Sequence, residues 1–95
     1  MAIKVPFTAR VSVPEGVLMR DLDGESVVLN VQTEKYYGLD EVGTRMWAVL
    51  TGSDSIQAAF ERLLGEYDVE PTQLHADLER LIGELVEHGL LLVHE

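Results

Sequence analysis

The sequence contains no cysteine, which excludes a disulfide scaffold and any thiolate-ligated zinc or iron–sulfur centre. It is poor in basic residues, with 7 Lys and Arg against 17 Asp and Glu, for a net charge of −10. No apolar run approaches the roughly 20 residues that span a bilayer. Met1–Arg10 has no apolar stretch of the kind a secretory signal needs. Gly-x-Ser-x-Gly elbows, glycine-rich phosphate loops and serines framed by a histidine are also missing, so nothing argues for an enzyme. The expectation is a soluble, cytoplasmic, non-catalytic protein without a cofactor.

What is present is a small globular composition. The 95 residues are 46% hydrophobic and 25% charged, too apolar for a disordered chain and short enough for one domain. Such a chain buries roughly 65% of its extended surface, so its core is limited. The charge is uneven. Residues 1–50 carry 5 basic and 7 acidic side chains, and residues 51–95 carry 2 and 10, so the second half is at −8. An acidic half repels phosphate backbones and favours basic partners, chiefly through association rate at low salt.

Hydropathy patterning divides the chain in two. Residues 1–16 read as an extended N-terminal arm, with Ile3, Val5 and Phe7 alternating and Pro6 and Pro14 opposing helix. From there to residue 95 the chain reads as a single domain. Val17–Leu22, the Asp23-Gly24 hairpin signal and Ser26–Val31 predict two antiparallel strands. Gln32-Thr33-Glu34 makes a second turn, and Lys35–Leu39 a short third strand carrying Tyr36 and Tyr37. From Asp40, a good N-cap, the period becomes helical. Val42, Met46, Val49 and Leu50 mark a first helix, ended by Gly52. Ser53 or Asp54 caps a second, whose apolar face is Ile56, Phe60, Leu63, Leu64 and Tyr67. Pro71 opens a third helix with the stripe Leu74, Leu78, Leu81, Ile82, Leu85 and Val86, closed by Gly89 with Leu90 in a Schellman arrangement. Leu90–Val93 is a short apolar tail with strand character. The class is α+β: a three-stranded antiparallel β-meander followed by a three-helix bundle.

Few constellations carry chemistry. His75 and Glu79 share a helix face at i,i+4 and could supply two metal ligands, but Leu74 and Leu78 mark the buried side, and an acidic solvated face accounts for the pair better. A DNA-reading winged helix fails because Thr72–His88 has Arg80 as its only permanent cation. Gly52-Ser53-Asp54-Ser55-Ile56 resembles the Gly-x-Asp-Ser-Leu of acyl and peptidyl carrier proteins, where a serine such as Ser55 bears phosphopantetheine. The strand alternation before it opposes that reading, and helix capping explains the cluster. A binding groove is the remaining candidate. Tyr36, Tyr37 and Gly38 lie on a strand that, at a sheet edge, can accept an added strand. The apolar arc of the third helix spans about 140°, wider than the usual stripe of about 100°.

Leu29-Asn30, Tyr36-Tyr37-Gly38-Leu39-Asp40, Gly43, Met46-Trp47, Leu50 and Gly52 follow one another in a distinctive order. Ile56, Phe60, Leu63, Tyr67, Leu78, Leu81, Leu85 and Gly89-Leu90 continue it. Together, over Val28–Leu91, they resemble the PqqD family of pyrroloquinoline quinone (PQQ) biosynthesis and the related recognition elements of ribosomally made peptides. Asp40 departs from a frequent Asn, at no cost to capping. The resemblance implies a winged-helix-like fold and no catalysis. It implies a peptide chaperone that binds the leader of a precursor peptide and presents it to a modifying enzyme, a radical SAM protein in the quinone pathway. The implied peptide site is Glu34, Lys35, Tyr36, Tyr37 and Gly38 on the third strand, and Leu74, Asp77, Leu78 and Leu81 on the third helix. The acidic third helix is expected to favour a leader or enzyme surface with Lys or Arg near Asp77 and Glu84. An exposed edge strand and the apolar arm could also support a homodimer.

Overall fold

The strands begin where the sequence can turn tightly. In the computed structural model, which describes residues 5–95, β1 is Arg10–Ser12, β2 is Val17–Leu22, and β3 is Glu25–Asn30. Asp23 and Gly24 join β2 to β3 with φ of 60° and 94°. Two successive left-handed residues are what a type I′ hairpin demands, and Gly takes the second at no steric cost. β4 is Tyr36–Leu39, followed by the helices α1 (Glu41–Thr51), α2 (Ile56–Glu66) and α3 (Pro71–Glu87) and the strand β5 (Leu92–His94). The main sheet has the order β2-β3-β4, all antiparallel, with Val28 opposite both Met19 and Tyr37.

The turn from β3 to β4 is organised by Asn30. Its Oδ1 accepts from the backbone N–H of Gln32 (2.9 Å) and Thr33 (3.2 Å), and its Nδ2 donates to the Gly89 carbonyl at 3.0 Å. One buried side chain thus closes the hairpin and ties it to the C-terminus of α3. Glu34 completes the turn at φ 63°, an uncommon conformation for a residue other than Gly, Asn or Asp.

Capping explains where the helices start and stop. Asp40 Oδ1 accepts from Gly43 N–H at 2.7 Å, as its position promised. Gly52 does follow α1, but at φ −99°, so the left-handed freedom of glycine is not used there. The cap of α2 is neither Ser53 nor Asp54 but Ser55, whose Oγ accepts from Ala58 N–H at 3.0 Å. Ser53 turns back instead and donates to the Val49 carbonyl at 2.6 Å. Pro71 opens α3, and Gly89 at φ 72° closes it. Leu90 N–H reaches Leu85 O and Gly89 N–H reaches Val86 O, the paired bonds of a Schellman cap.

The core lies between the inner face of the sheet and the helices. Val28 from β3 meets Leu50 of α1, Ile56 and Leu63 of α2, and Leu78, Ile82 and Leu85 of α3, all almost fully buried. Ser26, also buried, bonds Thr44 across the sheet–helix boundary at 2.8 Å.

The N-terminal segment joins this core as far as it is described; Ile3 and the rest of residues 1–4 lie outside the described residues. Val5 and Ala9 are buried. The carbonyls of Ala9 and Phe7 accept from Ile56 and Gln57 N–H, both at 2.8 Å, completing the free donors at the start of α2. β1 then pairs antiparallel with β5, the strand within the apolar tail, and Ser12 Oγ and His94 Nε2 share a hydrogen bond of 2.6 Å. Among the described residues, no helix is long and apolar enough to cross a membrane.

Candidate functional site

β4 is an edge. Among the described residues, only β3 pairs with it. Asn30 N–H donates to the Lys35 carbonyl at 2.9 Å, and antiparallel pairing alternates from there. The main-chain groups of Lys35, Tyr37 and Leu39 therefore turn toward β3, whereas those of Tyr36 and Gly38 turn away. Side chains alternate at right angles to this. Leu39 and Tyr37 point to the helices, with Leu39 buried, while Tyr36 is exposed.

Beside that free edge lies a groove of about 330 Å³. Tyr37, Gly38, Leu39 and Asp40 form one wall, Val42, Gly43 and Met46 of α1 the end, and Asp77, Arg80 and Leu81 of α3 the other wall. Gly43 sits tight under the strand, since a Cβ there would stand 3.2 Å from Leu39 and 3.3 Å from Asp40. Apolar surface from Val42, Met46 and Leu81 is thus framed by charge. Arg80 lies 3.6 Å from Asp77, and Gln73 also donates to Asp77 at 2.9 Å.

One tether crosses from strand to helix. The Tyr37 hydroxyl donates to Glu84, and its ring meets His88 edge-on at 5.5 Å. The hydrogen bond to the Glu84 carboxylate holds the phenol pKa above its ordinary value, with burial and the Glu84 charge adding to it. The bond fixes the distance between β4 and α3 at one end of the groove.

The residues expected at the site are only partly brought together. Tyr37, Gly38, Asp77 and Leu81 line the groove. Glu34 and Lys35 are exposed at the approach to β4, and Tyr36 is exposed on the opposite face of the strand. Leu74 and Leu78 are core residues, 3% and 0% exposed, because they sit on the buried centre of the α3 stripe. They hold the helix in place from behind and offer no side chain to the groove. Leu81, at the margin of the wide arc, is the one that reaches it. Sequence reasoning missed Val42, Met46 and Arg80. Val42 shares the helical spacing of the core, yet it stands 43% exposed at the mouth of the groove, which periodicity alone does not reveal.

Other candidates dissolve into structure. The His75 ring stacks on Phe7 at 3.9 Å, and Glu79 accepts from Val5 N–H at 3.4 Å, so both are engaged with the N-terminal segment. Among the described residues, no group of three or more His, Asp or Glu could hold a metal ion. Ser55 is the cap of α2 in a chain whose first half is sheet, which is not the helical bundle a carrier protein needs.

Comparison with known proteins gives a consistent picture. The family model for coenzyme PQQ synthesis protein D (PqqD) matches residues 25–91. No curated protein matches the chain. Among solved structures, TbiB1 in complex with the TbiA(beta) leader peptide is 30% identical, with a TM-score of 0.77 over 84% of this chain and 93% of that one. A lasso peptide synthetase B1 complexed with the leader peptide is 24% identical, with a TM-score of 0.74 over 90% and 98%. The second likeness concerns the fold.

Proposed function

We propose that this chain, which belongs to the PqqD family, captures the leader segment of a ribosomally made precursor peptide as an added strand on β4 and presents it to a modifying enzyme. The observation that carries this reading is the free backbone of Tyr36 and Gly38 beside a groove walled by α1 and α3. It is supported by the similar structure of TbiB1, described as a complex with the TbiA(beta) leader peptide.

The mechanism follows from the geometry. A disordered leader orders along β4, and main-chain hydrogen bonds to Tyr36 and Gly38 supply affinity without regard to sequence. Alternate leader side chains then point into the groove, where Val42, Met46 and Leu81 accept an apolar anchor. The other set lies beside Tyr36 on the outer face. Glu34 and Lys35 flank the entrance. Asp77 and Arg80 form the polar rim, and Leu74 and Leu78 act through the position of α3. The chain contributes positioning and no chemistry of its own. The reaction belongs to the partner, an enzyme acting on ribosomal peptides such as a radical SAM protein, and the encounter takes place in the cytoplasm, where precursors are made.

Charge adds a selection. Asp77 is shared with Arg80 and Gln73, and Glu84 with Tyr37. A basic leader residue near Asp77 would compete with Arg80 for that carboxylate, so its contribution should fall as salt is raised.

The test is an NMR titration of labelled protein with the leader half of the precursor encoded beside its gene. Shifts concentrated at residues 35–39 and 77–81 are expected. An authentic leader that moves neither segment would overturn the reading.

A further inference from the structure

Three charged side chains line the groove beside β4, namely Asp40, Asp77 and Arg80, and they differ in what they already do. Asp40 is occupied by the N-cap of α1, where its Oδ1 accepts from Gly43 N–H at 2.7 Å and its charge meets the positive end of the helix. Asp77 Oδ1 accepts from Gln73 Nε2 at 2.9 Å. Arg80 is held by less. Its ion-pair contact among the described residues is to that same Asp77 oxygen at 3.6 Å, too long for a hydrogen bond, and its side chain is 70% exposed. Asp77 therefore keeps a partner in Gln73 if Arg80 moves away.

The charge pattern makes this residue stand out. Residues 51–95 carry 10 acidic side chains and two cations, Arg62 and Arg80. Arg62 is exposed on α2, whereas Arg80 lines the groove. Arg80 also faces the strand. The Glu84 bond and burial raise the Tyr37 pKa, and Arg80 is the neighbour that draws it down. A guanidinium with donors to spare thus stands beside the apolar surface of Val42, Met46 and Leu81, across from the free edge of β4.

We infer that Arg80 reads an acidic side chain of the leader, an Asp or Glu two residues from the apolar anchor. The inference rests on the strand-addition reading given above and adds a sequence requirement to it. The spacing follows from the pleat: side chains of an added strand that point into the groove recur at every second residue, roughly 7 Å apart. With the anchor against Leu81, the next inward position falls within reach of the long side chain of the adjacent Arg80. The planar guanidinium takes a carboxylate through two parallel N–H bonds. As the leader pairs with β4 it covers the groove, and the loss of water makes the pair stronger than an exposed surface ion pair. The rest of the chain makes the requirement positional. At a net charge of −10, an acidic residue elsewhere along the bound leader is repelled, by Asp77 and Glu84 among others. A basic leader residue beside Asp77 is compatible with this, since it takes the carboxylate that Arg80 leaves.

The test uses the whole chain and the leader half of the precursor encoded beside its gene, with each leader Asp and Glu replaced in turn by Asn or Gln. One replacement should weaken binding about tenfold, the worth of a charged hydrogen-bonded pair. The acid it identifies should stand two residues from the apolar side chain whose replacement by Ala costs most. Arg80→Gln should bind the original leader about tenfold more weakly, and in that variant the same leader replacement should cost less than about twofold. Such non-additivity is how a double-mutant cycle reports a direct contact. Arg80→Lys keeps the charge without the fork and should fall between. Arg62→Gln should bind as the unmodified chain does. Both arginines are exposed, so each variant should keep its circular dichroism signal and urea midpoint. Leader binding by Arg80→Gln within about twofold of the unmodified chain would overturn the inference. So would a leader in which no acidic replacement matters, a sensitive acid at an odd separation from the anchor, or losses on the two sides that simply add. Failure of the unmodified chain to bind the leader would overturn the strand-addition reading instead.

Discussion

The two edges of the main sheet offer the same unpaired backbone groups in different surroundings. Along β2 every residue from Leu18 to Leu22 is exposed, and Arg20 and Asp21 set a charge of each sign on the edge. Natural sheets protect a free edge from unwanted pairing in this way. β4 is shorter, carries no charged residue between Tyr36 and Leu39, and runs beside the groove formed with α1 and α3. What sets β4 apart from β2 is the wall beside it, the feature a free edge needs to select among peptides. Backbone pairing alone does not discriminate between peptides, whereas the wall gives alternate side chains something to fill.

The largest way to break that arrangement is from behind. Leu78→Ala removes a fully buried side chain of α3 and should cost about 2–5 kcal/mol of stability in urea unfolding. The fraction that remains folded should keep leader affinity within a few-fold, because Leu78 does not reach the groove. Next is the hairpin that delivers β4. Asn30→Ala strips the Gln32, Thr33 and Gly89 partners of their bonds and should cost about 1–3 kcal/mol, with weaker leader binding as the edge loosens.

A sharper comparison removes one outward N–H from each edge in turn. Gly38→Pro should weaken leader binding about tenfold, the worth of roughly one hydrogen bond, without loss of circular dichroism signal. Met19→Pro, at the corresponding outward position of β2, should leave leader binding unchanged. The smallest effect belongs to Tyr37→Phe. The folded-state pKa of Tyr37 is raised above the ordinary 10.0 by its bond to Glu84. Its contribution is therefore whole below pH 10 and is lost as pH climbs through the folded value. Unmodified protein and Tyr37→Phe should converge in stability in that alkaline range and differ slightly at neutral pH.

Much of this architecture could be read from local chemistry. Asp23-Gly24 specified its turn, Asp40 its helix start, and Gly89 with Leu90 its helix end, because each works through neighbours in sequence. The α3 stripe is broad, and Leu81 at its margin lines the groove. Long-range choices were not legible. β1 pairs with a strand about eighty residues later, and no local pattern encodes such a partner. Glu34 adopts a left-handed conformation without the Gly or Asn that usually announces one. Leu74 and Leu78, which are buried, could not be told from Leu81, which lines the groove, until the packing of α3 fixed which side of the stripe is covered. The three-residue ambiguity at Ser53-Asp54-Ser55 shows the same limit on a smaller scale, since any of them can cap a helix and only the path of the chain decides.

Amide hydrogen exchange with and without the leader addresses the central claim most directly, since it reads individual N–H groups. Strand addition on β4 predicts that Tyr36 and Gly38, whose N–H groups face outward, gain protection when the leader half of the precursor is bound. Met19 and Asp21 on the outer side of β2 should exchange as before. Protection gained on β2, or leader binding that leaves Tyr36 and Gly38 exchanging freely, would contradict the account.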